Sequence, residues 1–233
     1  MRNGLRVMTL VLVGASAAAA APSASQIKEV SGAARVVTEL RSTPDRGIPD
    51  SIWKRAQCVA VMPGVKKAAF VLGGEHGKGV VSCRTAQGWT SPVFLALDKG
   101  SIGAQFGAES TDLVLLVMNE NGIQRLLQDK VTLGADASLA AGPVGRSGAA
   151  ATDAQLRAEI LSYSRSRGVF AGVDLSGGVL RPDNAASTAF YGHPISNQDI
   201  LRGKQGKVAP AAARPLIAAL KGAAPRNASK NGV

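Results

Sequence analysis

Between Gln57 and Met118 the chain alternates short apolar runs with dipeptides that turn a backbone, and few folds accommodate such a pattern. Cys58-VAVM precedes Pro63-Gly64, Lys66-KAAFVLGG precedes Gly77-Lys78-Gly79, and Val80-VSCRT precedes Gln87-Gly88 and Trp89-TSPVFLAL. Ile102-GAQFGAES and Asp112-LVLLVM read as two further strands, the second apolar enough to be central. Runs joined this closely predict an antiparallel, meander-like sheet. Aromatic residues are 4% of the chain while glycine reaches 27 residues. The core must therefore be built from Val, Leu, Ile and Ala, with backbones in close approach.

Helices flank this sheet. Ser23 to Arg41 is amphipathic, with Ile27, Val30, Ala34, Val37 and Leu40 on one stripe. Pro44, Gly47 and Pro49 end it, and Asp50 or Ser51 caps a short helix through Arg55. Asn119 caps Glu120 to Gln128, Val131 to Leu139 resumes strand character, and Gly142 to Asp153 is a loop. Leu156-RAEILSYS and Gly168-VFAGVDLSGGVL read as strands, and Pro182-Asp183 opens a helix toward Tyr191. A turn at Gln198 to Arg202 and an alanine-rich helix from Pro210 to Leu220 complete the set. The serines, glycines and aromatics of residues 157–192 follow neither helical nor strict strand spacing, so core filling alone does not account for them.

Arg2 and Arg6 before the apolar run Val7-MTLVLVGA, with small residues through Ala21, have the form of an export signal. The expected division is 1–21 signal peptide, 22–222 a single domain, and 223–233 a disordered basic tail. Location is then periplasmic or secreted, with peripheral membrane association. In that compartment Cys58 and Cys83 can form a disulfide, since their runs can lie on neighbouring strands; two buried thiols are the alternative.

Formal net charge is +11, but residues 22–200 carry only +2. From Leu201 onward there are seven basic residues and no acid. A basic end of this kind favours an anionic partner by screened attraction.

Nothing in the chain assembles into a catalytic set. His76 and His193 each sit in a glycine- or proline-containing turn, where an exposed side chain is expected. There is no nucleophile elbow, no His-Glu-x-x-His and no ligand set for a metal. Gly73-GEHGKG-Gly79 lacks the following Ser/Thr and helix of a phosphate-binding loop, so a glycine-rich hairpin is the better reading. No enzyme activity and no cofactor are expected, and nucleic acid is not an expected partner.

Binding residues are easier to nominate. Lys66 and Lys67 form a cationic pair beside a turn; they either contact phosphate groups or guard a strand end. Arg165 and Arg167, two apart in a strand, either clamp a phosphate or pair with Asp174 or Glu159. Tyr163, Phe170, Phe190 and Tyr191 are read as core.

Taken together, Ala60-VMPGVKKAAFVLGG, Gly77-KGVVSCR, Gly88-WTSPVF, Ser101-IGAQFGAESTDLVLLVMNE, Val131-TLGADASLAAGPVGR, Ser162-YSRSRGVFAGVDLSGG and Phe190-YG resemble the SYLF domain family. The resemblance covers roughly Ser25 to Leu220. It implies a membrane-associated binding module. Eukaryotic members are similar to adaptors that bind phosphoinositides and, in fungi, actin, with lipid contact through a basic amphipathic helix and an adjoining basic surface. Carried onto this chain, those contacts are Lys28 and Arg35 on the helix with Lys66 and Lys67. Lys54 and Arg55 are weaker additions. No SH3 or FYVE module accompanies these residues, so actin regulation is not carried over, and phosphatidylglycerol or cardiolipin is the expected lipid.

The expectation is an α+β fold, a Gly-rich, mainly antiparallel sheet flanked by short helices in a single domain. It binds anionic phospholipid surfaces. The alternative is an envelope interaction protein that meets a protein partner or an anionic polymer.

Overall fold

A computed structural model describes residues 22–42, 47–69, 72–102, 107–145, 153–166, 169–204 and 210–223. The signal-peptide residues, Arg167 and the tail after Ala223 lie outside the described residues. The α+β expectation holds, with a mainly antiparallel sheet and short helices on both faces.

The sheet is built around β1 (Cys58–Ala69), β2 (Leu72–Thr85), β4 (Val93–Ile102) and β5 (Gly107–Val117). β3 (Gly88–Trp89) pairs with β2. The remaining strands are β6 (Val131–Thr132), β7 (Leu139–Ala141), β8 (Ile160–Ser166), β9 (Val169–Gly172) and β10 (Val179–Pro182). Their order is β6-β10-β4-β2-β1-β5-β8-β7, with β9 also on β8. A simple meander was expected, but β5 returns to the far side of β1, and β7 runs parallel to β8.

Two turns read from the sequence are not turns. β1 passes straight through Pro63-Gly64 as a bulge, where its register shifts against both neighbours. Gly64 supplies the left-handed conformation the bulge needs (φ 63°), and Asp112 Oδ1 accepts its N–H at 2.8 Å. β2 likewise continues through Gly73 to Gly79, so the expected hairpin there is replaced by strand. The reason is the bulge itself. A Cβ on Gly79 would overlap the Val61 carbonyl and lie 2.6 Å from Met62 Cγ, and one on Gly77 would lie 2.5 Å from Val65 Cγ2. These glycines let the distorted strand approach; they do not turn the chain.

β5 is one strand where two were expected, and it is central, between β1 and β8. The segment before β8 is a helix, α4 (Asp153–Arg157), not strand. Only the ends of residues 131–139 are strand, with a turn between.

One face of the sheet presents Val59, Val61, Val80, Phe94, Val114, Leu116 and Tyr163. It is covered by α1 (Ala24–Ser42), α2 (Asp50–Arg55), α5 (Asn184–Tyr191) and α7 (Arg214–Ala223). The other face presents Ala60, Val81, Leu95, Leu97, Leu115 and Ile160 to α3 (Glu120–Leu126), α6 (Asn197–Leu201) and loop residues Leu133 and Leu175. Burying both faces explains the near-continuous apolar reading of β5. α1 is docked along its length from Val30 to Leu40. Ile27 was placed on its buried stripe, yet it is 44% exposed, because α1 begins to overhang the sheet there.

Capping follows the sequence at two sites. Asn119 accepts the Gly122 N–H at 2.9 Å, and Asp183 accepts that of Ala186 at 2.9 Å. α2 is different: Pro49 precedes it, and neither Asp50 nor Ser51 provides a side-chain cap. Cys58 and Cys83 face each other on β1 and β2 and are joined by a disulfide. On the other side of Cys83 its carbonyl accepts the Thr90 N–H (2.8 Å) and its N–H donates to Thr90 Oγ1 (3.0 Å), while Arg84 N–H donates to the Gln57 carbonyl (2.7 Å), so the cysteines form a non-hydrogen-bonded pair, the closer kind.

Candidate functional site

Where α1 overhangs the sheet, the buried face becomes polar. Val80 is core, but two and four residues earlier on the same side of β2 stand Lys78 and His76. Their cross-strand neighbours continue the row: Lys66 lies opposite His76, which lies opposite Asp98, and Ser110 lies opposite Lys66. Lys66, Lys78 and Ser110 of this row, with α1 from Ser25 to Arg35, line an open groove of about 820 Å³.

Four cations line it: Lys28 and Arg35 from α1, Lys66 from β1 and Lys78 from β2. Ser25, Ser31 and Ser110 add hydroxyls, and Glu29 and Asp112 add carboxylates. All four cations are exposed. Arg35 stands 4.0 Å from Glu39, and Lys78 pairs with Asp183 at 2.9 Å. Lys28 and Lys66 have no ion-pair partner among the described residues. This arrangement can hold an anionic group between a helix and a sheet, with charge-assisted hydrogen bonds from either side.

Electrostatics differ sharply within the groove. Asp183 is held below the usual carboxylate range: burial opposes this, but the Ala186 N–H and the Lys78 ammonium outweigh it. The same pairing raises Lys78, chiefly through its hydrogen bond to Asp183. Glu29 is half-buried and has no such donor among the described residues. Desolvation raises its carboxyl to about 7, against the pull of Lys78 and with the push of Asp183.

Of the eight cations nominated from sequence, three converge here, Lys28, Arg35 and Lys66, while Lys54 and Arg55 stand on α2 and do not line the groove. Nor does Lys67. It lies on the opposite side of β1 and pairs with Glu75 at 3.4 Å. Arg165 is also elsewhere engaged. It pairs with Glu39 of α1 and stands 3.5 Å from Asp112, instead of reaching Asp174 or Glu159. Its guanidinium lies 5.7 Å from the centre of the Phe170 ring. Arg165 thus ties α1 to the sheet beside the groove. Arg167 lies outside the described residues. Tyr163, Phe170 and Phe190 are core as expected, and Tyr191 is half-buried with its hydroxyl donating to the Pro92 carbonyl at 2.7 Å.

Lys78 was missed as a contact because Gly77-Lys78-Gly79 reads as a turn. The alternation Lys78, Val80, Ser82 was the available signal, since it places Lys78 on the face that α1 covers.

Comparison with known proteins follows the same outline. The family model described as "Ysc84: Las17-binding protein actin regulator" matches residues 98–223. Protein YSC84 of Saccharomyces cerevisiae is 35% identical over 181 residues, covering 76% of this chain and 38% of its own. LAS seventeen-binding protein 3 of the same yeast is 33% identical over 192 residues, covering 81% of this chain and 41% of its own. The human SH3 domain-containing YSC84-like protein 1 is 31% identical over 183 residues, covering 77% of this chain and 53% of its own. The chain therefore spans about two-fifths to one-half of the length of these curated relatives. On the family match and on identities of this size over most of its length, the chain belongs to the Ysc84, or SYLF-domain, family.

Proposed function

We propose that this protein binds anionic phospholipid surfaces through the groove between α1 and the sheet. The observation that carries the reading is the convergence of Lys28, Arg35, Lys66 and Lys78 on one opening, with Lys28 and Lys66 unpaired among the described residues. Ile27 stands exposed on the same end of α1, where it can enter the lipid interface while the cations engage phosphates. Each cation near an anionic surface contributes about 1 kcal/mol, so the groove supports reversible binding. The Cys58–Cys83 disulfide and the N-terminal sequence support a location on the exported, oxidising side of a membrane.

The test is co-sedimentation of the chain with neutral and with phosphatidylglycerol-containing vesicles at low and high salt. Binding confined to anionic vesicles and weakened by salt is the expected result. Salt-insensitive binding, or equal binding to neutral vesicles, defeats the electrostatic mechanism. A second reading, a protein partner, draws on the relatives' names, one of which is a Las17-binding protein by its description. Absence of vesicle binding would favour it.

A further inference from the structure

Glu29 is out of place in a groove that holds anions. It sits half-buried on α1 among cations, yet no described donor reaches it. Lys78, the cation that acts on it electrostatically, is committed to Asp183 at 2.9 Å, and Asp183 is itself fixed by capping α5. The charged groups around Glu29 are Lys28 and Arg35 on its own helix, Lys66 on β1, Lys78 on β2, Asp112 on β5 and Asp183 before α5.

Resting on the lipid-surface reading, we infer that the groove takes up a phosphate group together with one proton, which comes from solvent and settles on the Glu29 carboxylate. A carboxylate in that position repels the phosphate and accepts hydrogen bonds only. The protonated acid removes one negative charge and offers an O–H to a phosphate oxygen. Burial places this carboxyl near the neutral range even before a ligand arrives, and an adjacent phosphate pushes it further up. Binding and protonation therefore strengthen each other, as linkage requires.

The experiment measures binding of the full chain to phosphatidylglycerol vesicles, and separately to soluble glycerophosphoglycerol, at pH 6 and pH 8. A phosphodiester does not titrate in this window, so any slope belongs to the protein. One proton linked to a group near 7 gives about tenfold tighter binding at pH 6 than at pH 8. Glu29→Gln is expected to bind at the tighter level at both pH values. His76, hydrogen-bonded to Asp98 at 2.6 Å, stands on the same strand face as Lys78 but does not line the groove. His76→Gln is therefore the control and should keep the slope. A slope seen with the soluble diester as well places recognition in the phosphate; a slope with vesicles alone places it in the surface, and either supports proton uptake. Binding that is flat with pH in the wild type, or a slope that survives Glu29→Gln, overturns the inference and leaves the lipid reading standing. No binding to anionic vesicles at either pH overturns both.

Discussion

Gly32 of α1 rests against Pro63 in the bulge of β1: a Cβ on the glycine would lie 3.2 Å from both Cβ and Cγ of the proline ring. This contact sets how closely the helix approaches the sheet, and with it the width of the groove. A mid-helix glycine is about 1 kcal/mol less favourable than alanine, so the close approach offsets a local cost. Gly32→Val should overpack the contact and destabilise the fold by about 1–3 kcal/mol. In a domain of this size that lowers Tm by roughly 2–4 °C per kcal/mol, measurable by thermal denaturation. An unchanged Tm would mean that Pro63 yields without cost.

The disulfide closes a loop across β1 and β2 between residues 25 apart. Replacing Cys58 and Cys83 together by Ala should cost about 3 kcal/mol on the loop-entropy model. Denaturant unfolding of the variant against the oxidised wild type measures this directly. Equal midpoints would contradict a loop-entropy contribution from this bridge.

Glu29 makes stability depend on pH in an unusual direction for a carboxylate. Its folded value, raised from 4.5 to about 7 by burial, exceeds the unfolded one. The folded state therefore holds the proton more tightly. Its contribution is fully present below about pH 4.5, is lost as pH rises through 7, and stays lost above. Glu29→Gln should stabilise the fold at pH 8 by about 1 kcal/mol, a figure reduced for solvent screening of a half-exposed group. At pH 4.5 the two proteins should converge. A constant difference across this range contradicts the assignment.

Arg165 holds Glu39 and Asp112 together, and Asp112 in turn holds the Gly64 N–H at 2.8 Å. Arg165→Ala leaves two carboxylates facing each other and should destabilise the fold by about 1–3 kcal/mol. Vesicle binding per folded molecule should be unchanged, because Arg165 does not line the groove. A selective loss of binding with stability intact would return Arg165 to the lipid contacts.

Much of this was legible in the sequence where local chemistry decides the outcome. Asn119 and Asp183 cap as their type and spacing require, α1 follows its helical stripe from Val30 onward, and Cys58 meets Cys83. Reading failed where a distant strand overrides a local signal. Pro63-Gly64 has turn chemistry, yet pairing with β2 on one side and β5 on the other carries the strand through as a bulge. That bulge then requires the glycines of β2, which by themselves resemble a hairpin. The same non-local pairing decides which lysines share a face. No local pattern separates Lys66, which opens to the groove, from Lys67, which meets Glu75 on the other side.

That separation supplies the most direct measurement. Lys66→Glu and Lys67→Glu change the same charge at adjacent positions, so their binding to phosphatidylglycerol vesicles should be compared at low salt. Reversing one groove charge removes about 2 kcal/mol, at roughly 1 kcal/mol per unit charge. Lys66→Glu should therefore bind at least about tenfold more weakly, while Lys67→Glu stays close to wild type. Equal losses would mean that only net charge matters, and a loss confined to Lys67→Glu would place the lipid contact on the opposite face; either result contradicts the groove as the binding site.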